Sequence, residues 1–95
     1  MAANLHNLAA VEQERGRLAE AEATYRRALA LKEKIFGGDN VDVALTVNNL
    51  GLLLKALGSE EEAAELLQRA LVIFEKTLED DHPHLIACRE NLESA

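Results

Sequence analysis

The chain has one proline, one cysteine, no tryptophan and only three aromatic side chains, Tyr25, Phe36 and Phe74, among 95 residues. A single cysteine, Cys88, excludes a disulfide within the chain and fits a reducing compartment. A single proline, Pro83, leaves everything before it free of that helix breaker, and valine and isoleucine are too scattered to suggest strands. With so few rings the core has to be built from alanine and leucine, which suits helices that approach closely. No apolar run nears the roughly 20 residues of a membrane span. Asn4, His6 and Asn7 interrupt the start before the apolar block of a signal peptide can form. These absences read as a soluble, cytoplasmic, all-helical chain. The net charge of -7 argues against a nucleic-acid partner, because phosphate binding needs clustered Lys and Arg. The basic residues that do cluster, Arg26, Arg27, Lys32 and Lys34, read as one solvated helix face near a C-terminus.

What the sequence does contain is a repeat. The segment beginning NLAAVEQERGRLAEAEATYRRALALKEK at Asn7 aligns without a gap on the segment beginning at Asn49, a spacing of 42 residues. Identical pairs include Gly16/Gly58, Ala21/Ala63, Arg27/Arg69, Ala28/Ala70, Leu29/Leu71, Glu33/Glu75 and Lys34/Lys76. A third copy starts at Asn91 and Leu92 and is cut short. Repetition at this period marks a solenoid, whose units bury their apolar faces only against neighbours, so the stack should be elongated and its stability shared.

The punctuation divides the chain into five predicted helices. Residues 2–14 place Leu5, Leu8 and Ala9 on one inner face, and Gly16 supplies the turn. Residues 18–36 direct Leu18, Ala21, Tyr25, Ala28 and Leu29 inward and end at Gly37 and Gly38. Asn40 caps residues 41–57, with Asp42 in the first turn. Gly58 turns the chain again, and Ser59 with Glu62 has the spacing of a capping box. Residues 60–78 bury Ala63, Leu67, Ala70, Leu71 and Phe74. Pro83 opens a last helix over 83–94, capped by Asp81 or His82. The expected architecture is a right-handed α-solenoid of antiparallel hairpins in one domain over 1–95. It consists of a repeat over 2–40, a second over 41–81 and a partial, capping unit over 83–95. Arrays generally need about three repeats, so the cut third copy points to a piece of a longer protein.

These residues resemble the tetratricopeptide repeat family, and more closely its 42-residue, kinesin-light-chain-like subtype. The resemblance is carried by Asn7, Leu8, Ala9, Gly16, Ala21, Tyr25, Arg27, Ala28, Leu29, Gly37 and Asp39, then by Asn48, Asn49, Leu50, Gly58, Ala63, Arg69, Ala70, Leu71, Asp81, His82 and Pro83. It spans nearly the whole chain. Departures are Glu12 and Leu54 where an aromatic is usual, Asn40-Val41 in place of His-Pro, and Glu79-Asp80 in place of glycine. Arg89 and Glu93 occupy commonly apolar or small positions, as a solubilising cap requires.

Catalytic chemistry finds little support. Gly37-Gly38 lacks the Lys-Ser or Lys-Thr of a phosphate loop. Asp80, Asp81, His82, His84 and Cys88 form a loose group without the paired-ligand spacing of a zinc site. The carboxylate pairs fall on exposed faces or in first turns. The chain is expected to be no enzyme and to need no cofactor or metal; a metal-dependent or hydrolytic activity is a remote alternative.

The resemblance implies that the first helix of each unit lines a concave groove. On helical phase, the side opposite Leu5, Leu8 and Ala9 carries His6, Asn7, Ala10 and Gln13; the second unit offers Leu45, Asn48, Asn49, Leu52 and Lys55, and the third Asn91. Asn7, Asn49 and Asn91 recur at the repeat spacing as a ladder. Two readings stand: the carboxamides bind an extended peptide main chain, or they bond neighbouring helices. Leu45 and Leu52 likewise read as parts of a buried middle helix or as an apolar groove floor. By resemblance, chaperone-binding members clamp a C-terminal carboxylate with Lys and Asn; with Ala10, Leu52 and only Lys55 here, that clamp is not expected. The expected function is a protein-binding adaptor or scaffold taking a peptide with apolar anchors. Self-association through the unfinished solenoid ends is the alternative.

Overall fold

In the computed structural model, which describes residues 2–93 and the side chains of Leu5 and residues 7–93, the chain is helical and no strand occurs among the described residues. The helices are α1 (Ala2–Glu14), α2 (Leu18–Phe36), α3 (Val41–Ala56), α4 (Glu60–Thr77) and α5 (Pro83–Glu93). α1 pairs with α2 and α3 with α4 as hairpins, α2 lies against α3, and α4 lies against α5. These bounds follow the expected ones within a residue.

The two hairpin turns are built identically. Gly16 and Gly58 take φ of 79° and 88°, a region that costs an L side chain about 1–2 kcal/mol. Each glycine lets the next residue reach back, so that Arg17 N–H donates to Glu12 O at 2.8 Å and Ser59 N–H to Leu54 O at 2.9 Å, closing the helix end. The starts of the helices are less uniform. Asp42 N–H donates to Asn40 Oδ1 at 2.7 Å, the expected cap. His84 N–H donates to His82 Nδ1 at 3.1 Å, which identifies His82 as the side chain at the start of α5. The capping box is not formed: Ser59 stands at the N-cap position of α4 but its side chain makes no cap bond. Glu62 accepts instead from Arg26 across the helix pair at 2.9 Å.

Burial falls into two clusters that both draw on α3. Leu50, Leu53 and Leu54 join Ala9, Ala21, Tyr25 and Ala63. Val43, Ala44 and Val47 join Ala70, Ile73, Phe74, Leu85 and Cys88. Leu29 and Leu66 pack against both and make the core continuous. α3 approaches α4 closely at Gly51. A Cβ there would lie 3.0 Å from Leu67 Cγ and 3.3 Å from the Ala63 carbonyl oxygen.

Four expectations need correction. Leu8 is 48% exposed, because the face that α2 covers on α3 is open on α1. Ile73 is buried, whereas Leu71 is only half-buried; α4 meets α3 on one side and α5 on the other, which widens its inner stripe. Lys32 is not part of the solvated basic face but 8% exposed; it occupies the position of Phe74 one repeat earlier, and its aliphatic stem serves for packing. The stack is not elongated either. Its radius of gyration of 12.5 Å matches the ~12.4 Å of a compact domain of this length.

Glu12, unusual at its position, has a structural explanation. The Thr24 hydroxyl donates to Glu12 Oε1 at 2.7 Å. One repeat later the same two positions hold Leu54 and Leu66, an apolar pair in the core. The two sites have exchanged chemistry together, so neither leaves one polar member of the pair facing an apolar one.

α5 is the shortest of the five helices, with 11 residues against 13 in α1, and it is anchored by two buried residues, Leu85 and Cys88. The Cys88 thiol donates to Leu67 O at 3.3 Å. Burial, with a smaller push from the Glu75 carboxylate, raises the thiol from 9.0 to about 11.

Two measurements follow from this packing. Gly51→Val should lower stability in urea unfolding by about 1–3 kcal/mol, the usual range for overpacking, since the Leu67 branch point and not a flexible tip stands in the way. Because the folded thiol holds its proton more tightly than the unfolded one, Cys88 contributes stability that is present below pH 9 and lost as pH rises toward 11. The melting temperature should therefore fall over that window less steeply in Cys88→Ala than in the wild type.

Candidate functional site

The first helix of each hairpin and α5 carry the residues singled out from helical phase. The His6 side chain lies outside the described residues. Asn7 is exposed and Ala10 half-buried at the edge of α1. Gln13 is turned toward the hairpin partner: the Tyr25 hydroxyl donates to Gln13 Oε1 at 3.3 Å, and burial pushes the Tyr25 phenol above its ordinary value.

On α3, Leu45, Asn48, Asn49, Leu52 and Lys55 are all half-buried. Leu45 packs against the second core cluster. Lys55 Nζ donates to the Asn91 main-chain oxygen at 3.2 Å, tying α3 to α5. Asn49, Lys55 and Asn91 each make further contacts within the fold. Asn48 differs. Its Oδ1 is shielded from solvent and accepts no hydrogen bond from the described residues, although a buried carboxamide oxygen ordinarily finds a donor.

The loose histidine–cysteine group does not converge on one point: the His82 and His84 rings stay together, with centroids 5.0 Å apart, while Cys88 is turned away into the core. Cys88 faces the α4 main chain, His82 caps α5, and His84 stacks on Phe74 with ring centroids 6.1 Å apart. Among the described residues no three His, Cys, Asp or Glu side chains converge as metal ligands. None of the described helices is long and apolar enough to cross a membrane.

The arrangement contains one feature that sequence reading missed. Three ion pairs cross from the first hairpin to α4: Arg26 to Glu62 at 2.9 Å, Glu33 to Arg69 at 2.6 Å and Asp39 to Lys76 at 3.4 Å. Their partners lie 36 or 37 residues apart, a separation that a single-helix pattern cannot reveal. Combining it with the 42-residue repeat was the available signal. Arg26 is also held by Glu22 on its own helix, and the hydrogen bond to Glu62 is the largest contribution to raising its guanidinium above the ordinary value.

Comparison with known proteins bears on this geometry. The tetratricopeptide repeat family matches residues 1–76 and, overlapping, 42–95. A solved kinesin light chain-like protein with nearly identical TPR-like repeats, from Podosopora anserina, superposes with a TM-score of 0.90 at 28% identity, over 98% of this chain and 44% of that one. A variant of the same protein gives 0.91 at 27% identity with the same coverage. The chain spans less than half the length of those structures. No curated protein matches its sequence. Repeat, hairpin stack and family match coincide over the same residues: the chain belongs to the tetratricopeptide repeat family, whose repeats are generally protein-interaction modules.

Proposed function

We propose that the chain is a non-catalytic adaptor module that holds an extended segment of a partner protein in a concave groove lined by α1, α3 and α5. The observation that carries this reading is the row of half-buried residues Leu45, Asn48, Asn49, Leu52 and Lys55 along the central helix, in a chain that matches the tetratricopeptide repeat family over its length. Half-buried Leu45 and Leu52 on the same helix supply apolar contacts for anchoring side chains. Lys55 already donates to the Asn91 main chain, which argues against a clamp for a terminal carboxylate and for recognition within a chain. Ala10, Gln13 and Asn7 on α1 and Asn49 and Asn91 beside them shape the groove edge; His6 belongs to the same predicted face. A reducing compartment such as the cytoplasm suits the free thiol of Cys88.

Peptide display on the immobilised chain tests the reading. Extended peptides with apolar anchors should be enriched, and Leu52→Arg should weaken the selected peptides about tenfold or more while circular dichroism shows the helices retained. Asn48→Leu should leave thermal stability equal or higher, because the orphaned acceptor is gone. Enrichment that is the same on wild type and on Leu52→Arg, or no enrichment at all, refutes a groove at this place.

A further inference from the structure

We infer that the start of α5 is an acid-sensitive joint, closed by His82 only while its ring is neutral. α3 and α5 each open a repeat, and they begin in the same way with different chemistry. At α3, Asn40 Oδ1 accepts from Asp42 N–H at 2.7 Å. At the equivalent positions of α5, 42 residues on, His82 Nδ1 accepts from His84 N–H at 3.1 Å. A carboxamide oxygen keeps its lone pairs at any pH, whereas an imidazolium carries a proton on both nitrogens and accepts nothing. Histidine is the side chain that changes charge between about pH 5 and 8. Acid therefore withdraws the cap from α5 and leaves that of α3 in place.

His84 sharpens the contrast. It stands where α3 has Asp42, a carboxylate suited to the positive end of a helix dipole, where a cation is disfavoured. The His82 and His84 ring centroids are 5.0 Å apart, and His84 lies on Phe74 at 6.1 Å. A charged His84 is still attracted to the Phe74 ring, so it keeps its place and meets a charged His82 with like charge. The residue that gives way is His82, whose bond protonation removes.

The other charges on the elements that meet here do not reverse this. Glu79, Asp80 and Asp81 in the preceding loop are exposed, so their attraction for a protonated ring is screened by water and salt. On α4, Glu75 is taken by Arg89 of α5 at 3.2 Å and Lys76 by Asp39 at 3.4 Å. From α3, Lys55 reaches α5 at its far end, on the Asn91 main-chain oxygen. Leu85 and Cys88 stay as buried anchors, so acid loosens the first turn of α5 without unfolding the chain. The joint does not depend on the proposed groove; combined with it, acid loosens one of the groove's three walls.

Hydrogen exchange followed by NMR on the full chain tests the joint, because the two helices supply matched amides. Ile86 N–H donates to His82 O at 3.1 Å and Ala44 N–H to Asn40 O at 2.9 Å. The protection of Ile86 relative to Ala44 in one sample should fall about fivefold or more from about pH 8 to about pH 5, the worth of a lost helix cap. His82→Asn, which copies the cap of α3, should abolish the fall while circular dichroism shows the helices retained. His84→Asn should leave the fall in place. Nitrogen shifts of the wild-type His82 ring at the alkaline end should report the tautomer protonated on Nε2, the one whose Nδ1 can accept. A ratio that does not change with pH, a fall that survives His82→Asn or vanishes in His84→Asn, or a proton on Nδ1 of the neutral ring would each overturn the inference. None of these readouts involves peptide capture, so the joint and the groove stand or fall separately.

Discussion

The fold depends on α3 being covered from both sides. One half of that helix, Leu50, Leu53 and Leu54, closes against the first hairpin, and the other half, Val43, Ala44 and Val47, closes against α4 and α5. Burying a leucine or valine side chain is worth about 1.5–3 kcal/mol. Uncovering the three leucines alone therefore costs an amount comparable with the 5–15 kcal/mol stability of a small domain. The hairpins cannot part without unfolding. The terminal helices are in a different position, with large apolar side chains such as Leu8, Val11 and Ile86 on open faces.

That asymmetry explains how much of the fold was legible. Glycine, asparagine and proline mark helix ends by local geometry, and the predicted bounds of all five helices agree with the structure within a residue. Facing directions were legible only where both neighbours exist. Ala21, Tyr25 and Ala28 are buried as expected because α1 and α3 enclose them. Leu8 has the same pattern as Leu50 and the opposite exposure, since phase says which side a residue is on and not whether anything covers it. Lys32 was misread for a related reason: its charge suggested solvent, while its position, equivalent to Phe74, demanded a packed stem.

The face proposed for binding was legible only as a helical phase. Helical phase gathered Leu45, Asn48, Asn49, Leu52 and Lys55 on one helix, and all five are half-buried there. Which of them are free to meet a ligand depends on bonds between helices that sequence alone does not disclose. Lys55 turns to the main chain at Asn91, and Gln13 receives the Tyr25 hydroxyl. Asn48 was not distinguished from Asn49 by sequence, although only Asn48 has a shielded oxygen without a donor. The failed capping box shows the same competition. Glu62 has the right spacing for Ser59, but a guanidinium on the adjacent helix offers a charge-assisted bond, roughly twice as strong as a neutral one.

The repeats have diverged in matched pairs and not site by site. Glu12 with Thr24 becomes Leu54 with Leu66, and Gln13 with Tyr25 becomes Lys55 with Leu67; in each case both members lie across the same hairpin. A change in one member alone would remove the hydrogen bond that crosses the hairpin, so the hairpin interior constrains its own substitutions. The surface between hairpins obeys a different constraint, one of direction. Glu33 and Asp39 present acid toward the following unit, while Arg69 and Lys76 present base toward the preceding one. The same order recurs in Glu75 and Asp81 and in Arg27 and Lys34. The reversed pair, Arg26 with Glu62, is not carried forward, because Gln68 replaces the arginine. A chain with net charge -7 therefore still has a locally basic leading edge and an acidic trailing edge. The hairpin interior sets what each unit is, and this polarity sets the order in which units can follow one another.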